Sequence, residues 1–308
     1  MTTLLFSHEA CIAHDPGPHH PECPARLRAV LDALDDAAFA GLERRAAPRA
    51  EIAWIERVHD ADYVAATLAA APAEGRIHLD PDTVMSPGSA EAALRAAGAL
   101  CAAVDAVVAG EGKNAFCAVR PPGHHAEHDR AMGFCLFNNV AIGARHAQSA
   151  HSLGRVAVVD FDVHHGNGTQ HMFEADGDLF YASTHQFPHY PGSGAATETG
   201  VGNIVNAPLS AGDGGVEFRA AMNDQILPAL RDFGPDFLFI SAGFDAHAAD
   251  PLAALNFLEA DFEWATAELC ALADDCCAGR LVSTLEGGYD LAALASSAAS
   301  HLRALMAA

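Results

Sequence analysis

Residues 156–168 read Val-Ala-Val-Val-Asp-Phe-Asp-Val-His-His-Gly-Asn-Gly. The run 156–161 is apolar at nearly every position and has the length of a strand, which predicts a β-strand buried on both faces. Beyond it the chain turns abruptly to Asp162, His164 and His165. Runs of the same kind recur at 4–7, 115–119, 179–183, 237–241 and 281–285. Between them lie stretches of helical period. Leu27, Val30, Leu31 and Leu34 repeat at i, i+3, i+4, i+7, and the alanine-rich spans 89–109, 217–230, 261–274 and 291–306 behave alike. Continuous apolar strands separated by helices predict a doubly wound α/β fold, a mainly parallel sheet with helices on both faces.

In such sheets ligands bind outside the carboxyl ends of the strands. His124 and His125 follow the strand at 115–119 in RPPGHH (120–125). Asp160, Asp162, His164 and His165 end the next, and Ser183, Thr184 and His185 the one after. Asp245 in SAGFDAH (241–247) and Tyr289 in EGGYD (286–290) follow the last two. All five sets are expected to open onto one edge of the sheet.

Composition narrows the function classes. The 308 residues contain no linker, repeat or charge block, so one domain over 1–308 is expected. A net charge of -23 argues against nucleic acid as a direct ligand, because phosphate binding needs a basic face. The acidity reads as a solvated surface before it reads as steering of cationic substrates. The start, MTTLLFSHEA, lacks a basic segment followed by a long apolar core, and no apolar run reaches membrane-spanning length. A cytoplasmic protein with no membrane partner is expected. The eight cysteines include no C-x-x-C pair and sit largely in apolar contexts, which predicts free buried thiols.

Asp162-Val163-His164 puts a carboxylate and an imidazole on the same side of an extended segment. With Asp245 from another strand end they supply three donors, the number typical of a catalytic zinc site with an open position. Alone, an Asp-x-His is better explained by a capping Asp beside a packed His. Its coincidence with the other strand-end residues favours the metal.

The ordered motifs HDPGPHHPECPARL (14–27), LDPDTVMSPGS (79–89), RPPGHHA (120–126), GFCLFNN (133–139), VDFDVHHGNGTQ (159–170), YPGSG (190–194), SAGFDAH and EGGYD span nearly the whole chain. Together they resemble the zinc-dependent histone deacetylase family of the arginase/deacetylase fold, and its bacterial class II-like amidohydrolases in particular. The resemblance implies one Zn2+ held by Asp162, His164 and Asp245. It makes His124 and His125 the tandem catalytic histidines, with Asp160 and Asn167 as their respective partners, and Tyr289 the oxyanion donor. Class I members carry a carboxylate where Asn167 stands, so His125 is expected to be less basic here. Gly133, Phe134, Tyr190 and Leu252 fall where the family lines its acyl tunnel. Asp160, Asp162 and His164, with Ser183, match a structural K+ site. His128, His185, His189 and His247 are expected to be loop or rim histidines, and His165 to be structural or to support a site residue.

The same fold carries binuclear ureohydrolases, which need D-x-H-x-D and D-x-D motifs. Here Gly166 follows His165 and His247 stands two places after Asp245, so both carboxylates for a second metal are missing. A non-catalytic acyl-binding protein would lack a ligand, the base or the tyrosine, and none is lost. Acyl-lysine on a protein or peptide is the expected substrate, with acetylpolyamine or another small amide as alternative. Polyamine-selective relatives place a Glu where this chain has Leu252. An oligomer is compatible with the sequence.

Overall fold

The computed structural model describes residues 2–308. Its strands are β1 (Thr3–Ser7), β2 (Glu43–Ala46), β3 (Ile77–His78), β4 (Val84–Met85), β5 (Asn114–Cys117), β6 (Val156–Asp160), β7 (Leu179–Gln186), β8 (Ile204–Leu209), β9 (Phe237–Ala242) and β10 (Leu281–Leu285). Eight of them form one sheet in the order β2-β1-β5-β10-β9-β6-β7-β8. Every neighbouring pair in it is parallel. β3 and β4 make a separate antiparallel pair.

The path of the chain through this sheet creates the site. It passes from β5 to β6, builds outward through β7 to β8, then returns to lay β9 and β10 between β5 and β6. At such a reversal the loops leaving the strand ends diverge and leave a crevice. The loops after β5, β10, β9 and β6 therefore meet over four adjacent strands.

The four central strands are buried at every residue, as their unbroken apolar runs predict. The two edges do not follow that rule and are not signalled by it. β2 is Glu-Arg-Arg-Ala and mostly exposed, while β8 is only partly buried at Val205 and Pro208, the latter a residue an edge strand tolerates.

Helices flank the sheet, among them Ser89–Val108 packed on Asn139–His151, and Glu259–Cys277 packed on Leu291–Ala307. The single helix expected over 217–230 is instead Gly215–Ala221, a π-helical turn at Met222–Ile226, and Leu227–Phe233. Pro228 explains the change of register, because it has no N–H to offer an α-helical bond. Asn139–His151 is not predicted by periodicity. Its start is set by Asn138, whose side-chain oxygen accepts from the Ala141 N–H at 3.0 Å, and its end by left-handed Ser152. All eight cysteines are free and six are buried, in line with the expected thiols. No helix among the described residues is long and apolar enough to cross a membrane.

Candidate active site

Asp162 and His164 lie just past β6, and Asp245 just past β9. One ligand atom from each falls within 4.8 Å of the other two, and all three residues are buried. His164 Nδ1 stands 3.1 Å from Asp162 Oδ1 and 3.2 Å from Asp245 Oδ2. Neither carboxylate pairs with an arginine or lysine among the described residues. Burial opposes charge on Asp162, yet His124 and His164 hold its pKa below the carboxylate range. Asp245 is pushed up, by burial first and then by Asp162. Burial opposes charge on His164 as well, but the two carboxylates raise it to about 10. The cluster thus demands a positive charge at one point. Two carboxylates and an imidazole are donors that suit a divalent zinc ion there. Space is kept by two glycines. A Cβ on Gly243 would meet Asp162 Oδ2 at 2.0 Å, and one on Gly287 would meet Asp245 Oδ2 at 2.1 Å.

His124 and His125, from the loop after β5, lie beside this cluster with ring centroids 4.0 Å apart. Their partners differ. His124 Nδ1 meets Asp160 Oδ2 at 3.0 Å, and the Tyr181 hydroxyl donates to the same oxygen at 3.1 Å. His125 Nδ1 meets Asn167 Oδ1 at 2.8 Å. The Asn167 amide nitrogen is committed to two acceptors, the His125 carbonyl and Glu127 Oε1. Its Oδ1 must therefore accept, which fixes the proton on His125 Nδ1 and leaves Nε2 as the free base. Burial opposes charge on His124, but Asp162 and then Asp160 outweigh it and raise the pKa to about 10. Burial pushes His125 well below the usual imidazole range, and His124 and His164 push it further.

Above these groups is a cavity of about 210 Å³. His125, His164 and Tyr289 line its polar end; Gly133, Phe134, Tyr190 and Leu252 wall it together with Asp82 and His189. The Gly133 N–H donates to Asp82 at 3.2 Å and the Phe134 N–H to Thr83 Oγ1 at 3.1 Å, so the 79–89 segment holds the GFC loop in place. Tyr190 sets its ring edge-on to His125 at 5.2 Å. Arg26 places its guanidinium 4.8 Å from the Tyr289 ring centre, and Asp250 accepts from the Tyr289 N–H at 2.6 Å.

Residues 20–305 match the histone deacetylase domain. The chain belongs to the histone deacetylase family. It is 40% identical to histone deacetylase 14, chloroplastic, of Arabidopsis thaliana, over 98% of this chain and 76% of that one. A histone deacetylase-like amidohydrolase of Pseudomonas aeruginosa is 39% identical over 93% of this chain and 81% of its own. Among solved structures, a crystal structure of the HDA15 HD domain matches with a TM-score of 0.94 at 36% identity, over 99% of this chain and 88% of that one. As a member of this family the chain is a hydrolase that acts on amides.

Against that family membership, the histidines outside the site divide. His165, expected to be structural or to support a site residue, is tied to Ser193 Oγ at 2.8 Å and Gln170 Oε1 at 2.9 Å. His185 is not a rim residue. It is fully buried in β7, bonded to Ser183 Oγ and the Gly194 carbonyl, both at 2.9 Å. His189 reaches the cavity and stacks on His164 at 5.3 Å. Arg26, Glu127, Tyr181, Asp250 and Glu286 escaped the sequence reading. They lie away from strand ends or outside any spacing rule, and only the folded chain brings them to the site. Glu286, one residue past β10, accepts from the Gly123 N–H at 2.7 Å and so braces the loop that carries both histidines.

Proposed function

We propose that this chain removes acetyl and related acyl groups from the amine of lysine side chains, using a zinc ion held by Asp162, His164 and Asp245. The observation that carries this reading is the unequal histidine pair beside a three-donor cluster at the base of a narrow slot. When bound, such an ion polarises a carbonyl and lowers the pKa of water to about 7. The rest falls to the protein. Neutral His125, its Nδ1 proton held by Asn167, takes a proton on Nε2 from the attacking water and returns it to the departing amine. His124, kept protonated by Asp160 and Asp162, supplies a fixed positive charge beside the reacting centre. Tyr289 directs its hydroxyl to the carbonyl oxygen as negative charge develops there. Phe134 and Tyr190 hold the methylene stem and exclude water from the slot.

A structural K+ at the carbonyls of Asp160, Asp162, His164 and Ser183 belongs to the same proposal. Asp160 and Ser183 are register partners on β6 and β7. The Asp162 and His164 carbonyls accept no hydrogen bond among the described residues, which leaves buried oxygens for a cation. No step of the reaction depends on it.

Leu252 gives the rim an apolar residue next to the His189 side chain, which bonds its carbonyl at 3.1 Å. With no carboxylate at this position to hold a second amine, acyl-lysine is favoured, while Asp82 in the cavity wall keeps acetylpolyamine as the second reading. The test compares turnover of an acetyl-lysine peptide, acetylputrescine and acetanilide by protein loaded with zinc. Preference for the peptide supports the proposal. Inertness toward all three, with one zinc bound, would overturn it.

A further inference from the structure

His125 lacks the carboxylate partner that His124 has, yet a carboxylate stands one residue further along the same line. Asn167 Nδ2 donates to Glu127 Oε1, and Glu127 lies 6% exposed on the loop that begins with the two histidines. Both Glu127 oxygens accept from His171 Nδ1 at 2.9 Å. His171 is exposed in the last turn of helix Asn167–Phe173, so the line runs from the base to the surface. It is held rigidly. His59, fully buried, bonds the Glu127 carbonyl at 2.8 Å, while the Glu127 N–H donates to the Arg130 carbonyl at 3.0 Å.

From this geometry we infer that Glu127 is a positioning residue for the proposed base: its negative charge, steadied by His171, acts on His125 through the Asn167 amide. An anion on the N–H side of a carboxamide pushes electron density toward its oxygen, because the amide is a conjugated dipole. Asn167 Oδ1 then becomes a stronger acceptor for the His125 Nδ1 proton, and the imidazolium formed during turnover is better supported. Burial opposes charge on Glu127, but His171 and Asn167 hold its carboxyl below the usual range, so the anion persists. Asn167 in place of a carboxylate does not remove the charge from the relay. It moves the charge one residue outward, away from the crowded Asp160, Asp162 and Asp245 carboxylates.

The inference rests on the proposed deacetylation but has a readout of its own. In zinc-loaded protein, Glu127→Gln keeps the shape and hydrogen-bonding reach while removing the charge. It is expected to lower kcat about tenfold, in the range seen when an outer partner of a catalytic histidine is lost, with KM held within about twofold. The low-field proton of His125 Nδ1–H should move upfield in the NMR spectrum. Adding Asn167→Asp to Glu127→Gln puts the charge directly on His125 and should restore both kcat and the resonance. A Glu127→Gln protein with wild-type kcat and an unmoved resonance would overturn the inference. So would a double variant no better than the single one. If Glu127→Gln fails to fold, His171→Ala at neutral pH decides the matter: leaving Glu127 ionised without the imidazole donor, it should move the resonance further downfield, and movement upfield would overturn the inference. If wild-type protein turns over no acyl amide, the proposed function falls while the resonance still reports on the relay.

Discussion

His124 and His125 are adjacent in the chain, but one faces the Asp160 carboxylate and the other the Asn167 amide. On the proposed mechanism that difference gives the charge to the first and the base to the second. Asp160→Asn should therefore weaken the cation on His124 and lower kcat by roughly 10–100-fold, measured by steady-state kinetics, with Asp162, His164 and Asp245 still holding zinc in metal analysis. Tyr289→Phe removes a hydroxyl from a residue of the loop after β10 that lines the cavity together with His125. The expected loss is about 10²–10³ in kcat, with zinc content unchanged, because the proposed donors are Asp162, His164 and Asp245. At this scale much of the site was legible. Asp162, His164 and Asp245 fall at strand ends, and their spacing can be read. Glu127 could not be found that way, because loop packing brings it in; Glu286 does stand at a strand end, but its role rests on a backbone hydrogen bond to Gly123 that leaves no period in the sequence.

The elements matter through what happens where they end. After β10 the chain enters Gly287 and Gly288, and the Gly287 N–H donates to Asp162 Oδ2 at 2.8 Å. A methyl group there would lie 2.1 Å from Asp245 Oδ2 and 2.5 Å from Asp162 Oδ2. Gly287→Ala should consequently push the carboxylates apart, so that purified protein carries less than one zinc per chain by mass spectrometry. Circular dichroism should show helix content unchanged, since the displaced atoms belong to no helix. The central strands were legible because parallel strands buried on both faces must be apolar throughout. β2 and β8 were not, because an edge strand faces water and tolerates Arg44 or Pro208. The 217–230 helix failed at Pro228 for a local reason that periodicity averages away.

Across the whole molecule, the N-terminal segment is locked to the sheet by a buried charge cluster. Glu22, fully buried, accepts from Arg26 at 3.0 Å and Arg120 at 2.7 Å, with His14 Nε2 at 3.3 Å. Arg26 carries the lock onward to the Gly288 and Glu286 carbonyls, below the Tyr289 loop. Glu22→Gln strands two buried guanidinium groups and should cost about 3–5 kcal/mol of stability in urea unfolding. Burial opposes the Glu22 charge, but Arg120 and His14 hold its carboxyl well below the usual range. A depressed folded-state pKa contributes stability that is present above the unfolded value of about 4.3 and is lost as pH falls through the lower folded value. Acid unfolding should accordingly set in below about pH 4, and the Glu22→Gln protein should lack this component of the acid limb. Phe134 has a wider implication. It holds φ at 67°, a left-handed backbone that costs a residue with a side chain of order 1–3 kcal/mol. Its ring meets His20 and Tyr289 edge-on, at 4.7 and 5.8 Å between centroids, and lies outside the buried core. A library randomised at this position and sorted only for thermal stability should enrich glycine and asparagine, whereas sorting for turnover should recover aromatics. On the proposed reading, replacing Phe134 by a smaller residue should therefore let the slot admit bulkier acyl amines without loss of fold stability.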